Sequence, residues 1–470
     1  MKKTNHMISL IMIMMFSVNS VNAAVSLNQK GIGQVLIFPY YTVNNDINTL
    51  ISITNTTDKV KALKIRFLEG KNNRDTLIFN IYLGPHDIWT GALVSTNSTI
   101  QGHEGEDSVK LITNDASCTV PTNITGQEFL PFALEGEFAD GIDANMSRVT
   151  EGQIHIFEMG NVVADFADLA SPGHENFDCQ ALQSNWLTPS GAWTLDTTQN
   201  MTAPDGSGGL FGSVSLIDVA DGFDVSYNAD AIQGYSHVIQ HETPASPLPS
   251  LNSGSTSESV YTGQLVTIIP WDHPFQAISS LFMMNNLYSE YILDGGIGAN
   301  TEWVTSFPTK SYYVDPAFAP EAVPMAPFTA ALDTTGACES AQIELYNRET
   351  GINIAGQDTI DLCWGTNIFE FTKELDGNET SLLLGSNNAT AITTSSDTGW
   401  LNLEFNQAVT TMDVSVNNNP RSITINGLPM AGFAMQRYVN GNLEGGILAN
   451  YAGLFTHKGS SEISIISPAQ

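Results

Sequence analysis

Basic residues are scarce in this 470-residue sequence. Lysine and arginine together number 17, whereas aspartate and glutamate number 49, so the formal net charge is −32 at pH 7. Nucleic acids and anionic lipid surfaces are bound through basic patches, and a chain this acidic repels both. We therefore expect no nucleic-acid partner.

The basic residues are also unevenly distributed. Seven of them lie between Lys30 and Arg74, whereas residues 111–309 contain one base, Arg148, against 24 carboxylates. Salt bridges cannot balance the charge of that middle region. It needs a solvated acidic surface or screening by cations.

Long apolar runs are missing after the first residues. The chain starts with Lys2 and Lys3, continues through ISLIMIMMF and reaches a small-residue end before Ala24. This pattern predicts a secretory signal peptide at 1–23. No later stretch approaches the ~20 apolar residues that a transmembrane helix needs. We expect an exported mature chain in the periplasm, at the cell surface or outside the cell, with no transmembrane span.

Cysteine is rare, with four residues in the whole sequence. An even number of cysteines in an exported chain indicates disulfides, and four cysteines allow three pairings. We favour Cys118 with Cys179 and Cys338 with Cys363, because these pairs close the shorter loops. By the chain-entropy model each bridge stabilises the fold by roughly 3–4 kcal/mol.

Familiar catalytic motifs are absent from the sequence. It has no G-x-S-x-G elbow, no Walker loop and no dinucleotide glycine fingerprint. His237 and His241 stand four residues apart, and on a helix such a pair can hold zinc. The metalloprotease pattern also requires a glutamate after the first histidine, and Val238 occupies that position. No enzyme class is indicated.

Carboxylate clusters are the remaining candidates for a site. Calcium takes six to eight oxygen ligands, which loops rich in Asp and Asn supply, although no cluster here has EF-hand spacing. Calcium is therefore the cofactor that these clusters suggest, and ordinary solvated loops are the alternative. The candidate ligands are Asp218, Asp221, Asp224 and Asp230.

Alternating strands punctuated by turns dominate what the sequence does contain. The pattern is densest in residues 33–90, where apolar residues within 63–67 alternate with Lys64 and Arg66. A period of two sends successive side chains to opposite faces of a sheet. We expect Lys64 and Arg66 to face outward and, with Lys61, to meet the acidic middle region of the same or a neighbouring chain.

The spacing of these short strands predicts a mainly β protein with two or more β-sandwich (immunoglobulin-like) domains and a few short helices. One helix is predicted over residues 280–293, and Asp221-Gly222 is predicted to be a hairpin turn. The predicted organisation is a signal peptide (1–23), an N-terminal β-sandwich sheet (24–113), an acidic middle region of β structure and long loops packed with the first (114–306), a Pro-rich connection (307–329) and a C-terminal β-sandwich domain (330–470).

Several phrases of the sequence carry a resemblance. They include GQVLIFPYYTVNN, TLISITNTTDKVKALKIRFLEGKNNRD, GGLFGSVSLIDV and TEWVTSFPTKSYYVD. Together they resemble an uncharacterised family of exported, β-rich proteins of Gram-negative bacteria, which has no assigned activity. The resemblance covers most of the chain after the predicted signal peptide. It implies export, and it carries over no functional residue.

These observations favour an exported or cell-surface, non-enzymatic β-protein with a structural, adhesive or envelope-associated role. Its partners would be envelope or extracellular components, or further copies of itself. The alternative is a secreted carbohydrate-active hydrolase or carbohydrate-binding protein on a β scaffold. A hydrolase requires two carboxylates ~5–10 Å apart in a cleft flanked by aromatic residues. Trp186, Trp193, Trp303 and Trp400 are candidates for stacking on sugars, although tryptophan in a sandwich is more often core.

Overall fold

The computed structural model describes residues 24–262, 265–351, 358–374, 380–405, 409–416, 419–443 and 447–466. The predicted signal peptide at 1–23 lies outside these residues. The protein is mainly β, with 46% strand and 9% helix arranged as several sheets and a few short helices. The predicted fold class is thus confirmed and is consistent with β-sandwich domains, whereas an immunoglobulin-like topology stays a prediction.

The secondary structure has the following bounds. The strands are β1 Ser26–Leu27, β2 Val35–Thr42, β3 Ile47–Asn55, β4 Val60–Glu69, β5 Asp75–Leu83, β6 Ile88–Asn97, β7 Asp107–Ile112, β8 Cys118–Val120, β9 Glu151–Val162, β10 Met201–Thr202, β11 Leu210–Asp218, β12 Phe223–Asn228, β13 Asp230–Gln233, β14 Ser257–Thr262, β15 Leu265–Pro270, β16 Met283–Met284, β17 Asn286–Ile292, β18 Ala299–Ser306, β19 Glu339–Asn347, β20 Thr359–Leu362, β21 Thr366–Thr372, β22 Ala389–Thr393, β23 Thr398–Glu404, β24 Val409–Val416, β25 Asn419–Asn426, β26 Leu428–Pro429, β27 Ala431–Leu443, β28 Ile447–Thr456, β29 Lys458–Ser460 and β30 Glu462–Ile466. The helices are α1 Asp165–Ala170, α2 Cys179–Leu187, α3 Ala192–Leu195, α4 Pro274–Ser280 and α5 Ser311–Val314, with short 3₁₀ turns at Gly136–Phe138 and Met146–Thr150.

Two sheets form the first sandwich. One runs β1-β13-β2-β9-β4-β5-β8, with β10 paired to β9, and the other runs β12-β11-β3-β6-β7. Their inner faces supply a common core that includes Phe67, Phe79 and Ile154 from the first sheet and Trp89 and Val214 from the second. The β11–β12 pair closes around Asp221-Gly222 as a hairpin, as predicted.

The second sandwich is built from two five-stranded sheets. Their orders are β20-β19-β23-β17-β29 and β22-β21-β18-β27-β28. The core between them includes Tyr291, Trp303, Leu345 and Leu401. Because Phe433 of this sandwich belongs to the core cluster of the first, the two sandwiches pack directly against each other.

The helix predicted over residues 280–293 is wrong. Helix α4 ends at Ser280, and residues from Asn286 onward form strand β17, which pairs over seven residues with β23. Leu287 and Tyr291 are buried in the second core. Long-range pairing has therefore overridden a local pattern that also fits a helix.

The Pro-rich segment 307–329 is packed into the protein. It contains α5, and Phe307, Tyr313 and Phe328 are members of the second core. The Lys310 ammonium is buried and donates to the carbonyls of Leu362 (3.1 Å) and Trp364 (3.3 Å). The segment is thus anchored by both apolar packing and hydrogen bonds.

Both predicted disulfides are present, Cys118–Cys179 and Cys338–Cys363. The first links the start of strand β8 to the start of helix α2. The second links the residue just before β19 to the residue just after β20. Disulfides persist in oxidising compartments, so the pair fits such a location. Among the described residues, no helix combines the length and apolar character needed to cross a membrane.

Candidate functional site

Several basic residues of this acidic protein lie in its interior. Among the residues that the structure describes, seven basic side chains are buried: Lys61, Lys64, Arg66, Arg74, Arg148, Lys310 and Arg437. Burying a cation is costly unless it is paired or hydrogen-bonded. The exterior is therefore even poorer in positive charge than the composition indicates.

Lys64 and Arg66 turn away from the sandwich core, as the alternation predicts, but they are buried rather than exposed to water. The Lys64 ammonium donates to the carbonyl of Thr243 in the acidic middle region of the same chain (2.6 Å). Arg66 makes a two-point ion pair with Asp75 (2.8 and 2.7 Å). These partners lie in the same chain, so neither base is available as a contact for a second copy.

Arg148 is the centre of a buried ion-pair network. Its guanidinium donates to Glu69 at 2.7 and 3.0 Å and also pairs with Asp140. Nearby, Arg74 pairs with Asp315 at 2.6 Å. The network connects the first sandwich, the acidic middle region and the Pro-rich segment, and its role is to hold these parts together.

The four candidate calcium ligands have different surroundings and partners. Asp218 accepts a hydrogen bond from the backbone of Asp221 (2.8 Å), which itself pairs with Arg437 at 3.1 Å. Asp224 is exposed on β12, and Asp230 lies on β13 in the other sheet, where burial raises its pKa to about 6. Within the part of the chain that the structure describes, no group of three or more His, Cys, Asp or Glu side chains is placed to hold a metal ion. Calcium binding at these positions stays a prediction.

The histidine pair at 237 and 241 does not lie on a helix. His241 is buried in a cluster with Tyr82, Trp186 and Trp193. Its Nδ1 donates to the carbonyl of Thr197 (2.7 Å), and its Nε2 accepts from the Tyr82 hydroxyl (2.9 Å). Burial lowers the pKa of His241 to about 4. Both ring nitrogens of the neutral His241 imidazole thus already have hydrogen-bond partners, which leaves neither to bind zinc.

A third constellation, found only in the structure, covers the outer face of the sheet β19-β23-β17. Strand register places its side chains in three rows across the three strands. We call this set the aromatic face. Its rows are Gln342, Glu404 and Asn286; Glu344, Asn402 and Tyr288; and Tyr346, Trp400 and Glu290.

Alternation explains why these residues share one side of the sheet. Between them in sequence stand Leu287, Tyr291, Leu345 and Leu401, which fill the second core. Successive strand residues point to opposite faces, so the intervening polar and aromatic residues face outward. Asn402 is the member of the aromatic face that is itself buried.

Hydrogen bonds and stacking fix the side chains of the aromatic face. The rings of Tyr346 and Trp400 stack with centroids 4.5 Å apart and planes at 18°. The Asn402 amide donates to both Glu344 (3.2 Å) and Glu404 (2.9 Å). A hydrogen bond to Glu344 raises the pKa of the Tyr346 phenol. The result is a flat aromatic platform flanked by carboxylates and amides.

The four tryptophans predicted as candidates for stacking on sugars differ in their exposure to solvent. Trp186, Trp193 and Trp303 are buried in the protein, whereas Trp400 is 41% exposed. Sequence reasoning named Trp400 but missed the residues around it. These come from three segments far apart in sequence, and their meeting depends on sheet register that no local signal in the sequence reveals.

A second open face lies on the first sandwich. The outer side of β11-β3-β6 carries hydroxyls and exposed apolar side chains, with Ser52 and Ser213 hydrogen-bonded at 2.9 Å beside Leu50. It borders a shallow depression of about 650 Å³. This face has neither the stacked rings nor the carboxylate pairs of the aromatic face.

No protein-family model, no curated protein and no solved structure matches this chain.

Proposed function

We propose that this protein is an exported, non-enzymatic β-protein with an adhesive or structural role at the cell surface or in the envelope. The observation that carries the proposal is the aromatic face, an exposed and ordered binding surface on a rigid sheet. Strands hold a recognition surface more firmly than loops do. The stacked pair of Tyr346 and Trp400 needs little further ordering to contact a ligand.

The use of the charged residues supports a non-enzymatic role. Catalysis needs acids, bases or nucleophiles arranged around a space for substrate. Here Arg148, His241 and Lys64 are committed to interior hydrogen bonds and ion pairs. The two disulfides and the predicted signal peptide support export.

Carbohydrate is the ligand class that the aromatic face favours. Aromatic rings present an apolar surface to the flat face of a sugar ring, while amides and carboxylates bind its hydroxyls. Glu290, Glu344 and Glu404 make the surrounding charge negative. Acidic polysaccharides would be repelled, so we expect a neutral or amino-bearing polysaccharide.

A secreted hydrolase is the second candidate, and it is favoured by the position of Glu344 and Glu404 on either side of the Asn402 amide. Two nearby carboxylates are what glycoside hydrolysis uses. The aromatic face is open, whereas a hydrolase requires its carboxylates in a cleft. Binding without cleavage is therefore the first choice.

Sedimentation with insoluble polysaccharides tests the proposal. The mature protein should co-sediment with cellulose or chitin and remain in the supernatant with a gelled acidic polymer such as alginate beads. Cell fractionation should place it outside the cytoplasm. Release of new reducing ends from the sedimented polymer would favour the hydrolase, and failure to bind either cellulose or chitin would contradict the carbohydrate proposal.

A further inference from the structure

Three polar side chains meet inside one end of the first sandwich. Lys61 is on β4, and Glu158 and Asn161 are on the neighbouring strand β9. All three are essentially removed from solvent, with exposures of 1%, 0% and 2%. A buried lysine facing both a carboxyl group and a side-chain amide is an unusual combination, because each polar group is desolvated at a cost.

A β-bulge brings Glu158 and Asn161 to the same place. Residues three apart on a regular strand point to opposite faces of the sheet. In β9 the register shifts by one residue, so that Leu63 pairs with Glu158 but Ala62 pairs with Gly160. The extra residue restores the parity, and such bulges commonly re-aim a side chain. Gly160 suits the bulge, since its φ of +147° and its closeness to the Thr202 carbonyl would strain any residue with a side chain.

Lys61 and Asn161 are direct partners across the two strands. The Lys61 ammonium forms a short hydrogen bond to Glu158, and Nζ lies 3.5 Å from Oδ1 of Asn161. The amide carbon Cγ is one C=O bond, about 1.2 Å, from that oxygen. Asn161 Nδ2 donates to the carbonyl of Ala203 (3.1 Å), which fixes the orientation of the amide. The amine of Lys61 and the amide group of Asn161 are therefore held side by side in a fixed orientation.

We propose that Lys61 and Asn161 form an intramolecular isopeptide bond, with Glu158 as the proton carrier. The Lys61 ammonium gives a proton to Glu158, and the freed lone pair of Nζ attacks Cγ of Asn161. Glu158 then takes a second proton from Nζ as it gives one to Nδ2. The Cγ–Nδ2 bond breaks, and ammonia leaves. Neither an oxidant nor an external reactant is required.

The surroundings of Glu158 suit this role. Burial raises the pKa of Glu158 to about 7, which favours a carboxyl group that both accepts and returns a proton near neutral pH. Its Oε2 has no hydrogen-bond partner among the described residues, so this oxygen is available for the transfer. Fixed juxtaposition of reactants is worth effective concentrations on the order of 10⁵–10⁸ M, which explains how an amide can react without a cofactor.

Other buried lysines lack this arrangement of partners. Lys310 donates to two main-chain carbonyls, as described above, and Lys64 donates to those of Thr243 and Pro244. Lys310 is therefore a matched control: it is a buried lysine whose replacement by arginine should not alter any cross-link. The proposal does not depend on the function of the aromatic face.

Intact mass and peptide mapping of the mature, disulfide-intact protein test the proposal. We expect a mass lower than the sequence requires by one ammonia, and a peptide in which residue 61 is joined to residue 161. Lys61→Arg keeps the cation beside Glu158 but should lose the cross-link, as should Asn161→Ala and Glu158→Ala. Lys310→Arg should keep it.

An unmodified mass in the wild type overturns the proposal. So does an ammonia loss that persists in Lys61→Arg or that maps to another residue. Because Lys61→Arg retains the buried ion pair, circular dichroism of that variant separates loss of the bond from loss of the fold.

Discussion

Tyr346 and Trp400 face each other across β19 and β23, with their rings stacked 4.5 Å apart. This contact orders two large aromatic side chains of the aromatic face before any ligand arrives. Glu290 follows in the same row on β17. The pair thus links the register of a three-stranded sheet to a surface suited to binding a flat, uncharged ligand.

Replacing Arg148 by methionine should destabilise the protein strongly. The change leaves the buried carboxylates of Glu69 and Asp140 without their cation, and breaking a buried ion pair costs about 3–5 kcal/mol. Denaturant unfolding measures the loss. Arg348→Met is the control, since Arg348 pairs with Glu349 at 68% exposure and should change stability by less than about 1 kcal/mol. Equal effects of the two substitutions would show that the network does not hold the parts together.

Removing the Cys118–Cys179 bridge by a double alanine substitution should lower the unfolding free energy by about 4 kcal/mol. Removing Cys338–Cys363 should have a somewhat smaller effect, because it closes a separation of 25 residues rather than 61. Urea unfolding of the two variants without reductant gives the comparison. A larger loss for the shorter loop would contradict the chain-entropy account.

The stability difference between wild type and His241→Gln should depend on pH. The unfolded histidine takes up a proton near its usual pKa of about 6.5, whereas the folded one does so near 4. As the pH falls from 6.5 toward 4, protonation of the unfolded histidine therefore stabilises the unfolded state of the wild type, an effect that the variant lacks. The advantage of the wild type should shrink by about 2–3 kcal/mol between pH 7 and pH 4.5. Parallel stability curves for the two proteins would rule out a buried neutral imidazole.

Local pattern predicted the parts of the fold that depend on neighbouring residues. The alternation around Lys64 identified β4, the Asp221-Gly222 dipeptide identified a hairpin, and loop length identified both disulfides. The helix prediction for 280–293 failed because the pattern of this segment also fits a helix locally. Its strand structure comes from pairing with residues more than a hundred positions away. Alternation also gave the direction of Lys64 and Arg66 but not the later segments that cover them.

The candidate sites needed information that the sequence does not display. Glu158 and Asn161 stand three residues apart, a spacing that places them on opposite faces unless a bulge intervenes. The aromatic face combines three segments that begin at residues 286, 339 and 398. In both places sheet register, rather than any motif, brings the residues together.

The most direct test of the proposed function compares Trp400→Ala with Phe211→Ala. Phe211 lies on the first sandwich and has the same 41% exposure as Trp400, so it controls for the loss of an exposed aromatic ring. Binding of soluble cellulose and chitin hexasaccharides to each variant would be measured by titration calorimetry. At least one hexasaccharide should bind the wild type and Phe211→Ala equally. Trp400→Ala should weaken that affinity about 30-fold, the effect expected from truncating a central aromatic contact. Unchanged affinity in Trp400→Ala, or no binding by the wild type, would contradict a carbohydrate-binding role for the aromatic face.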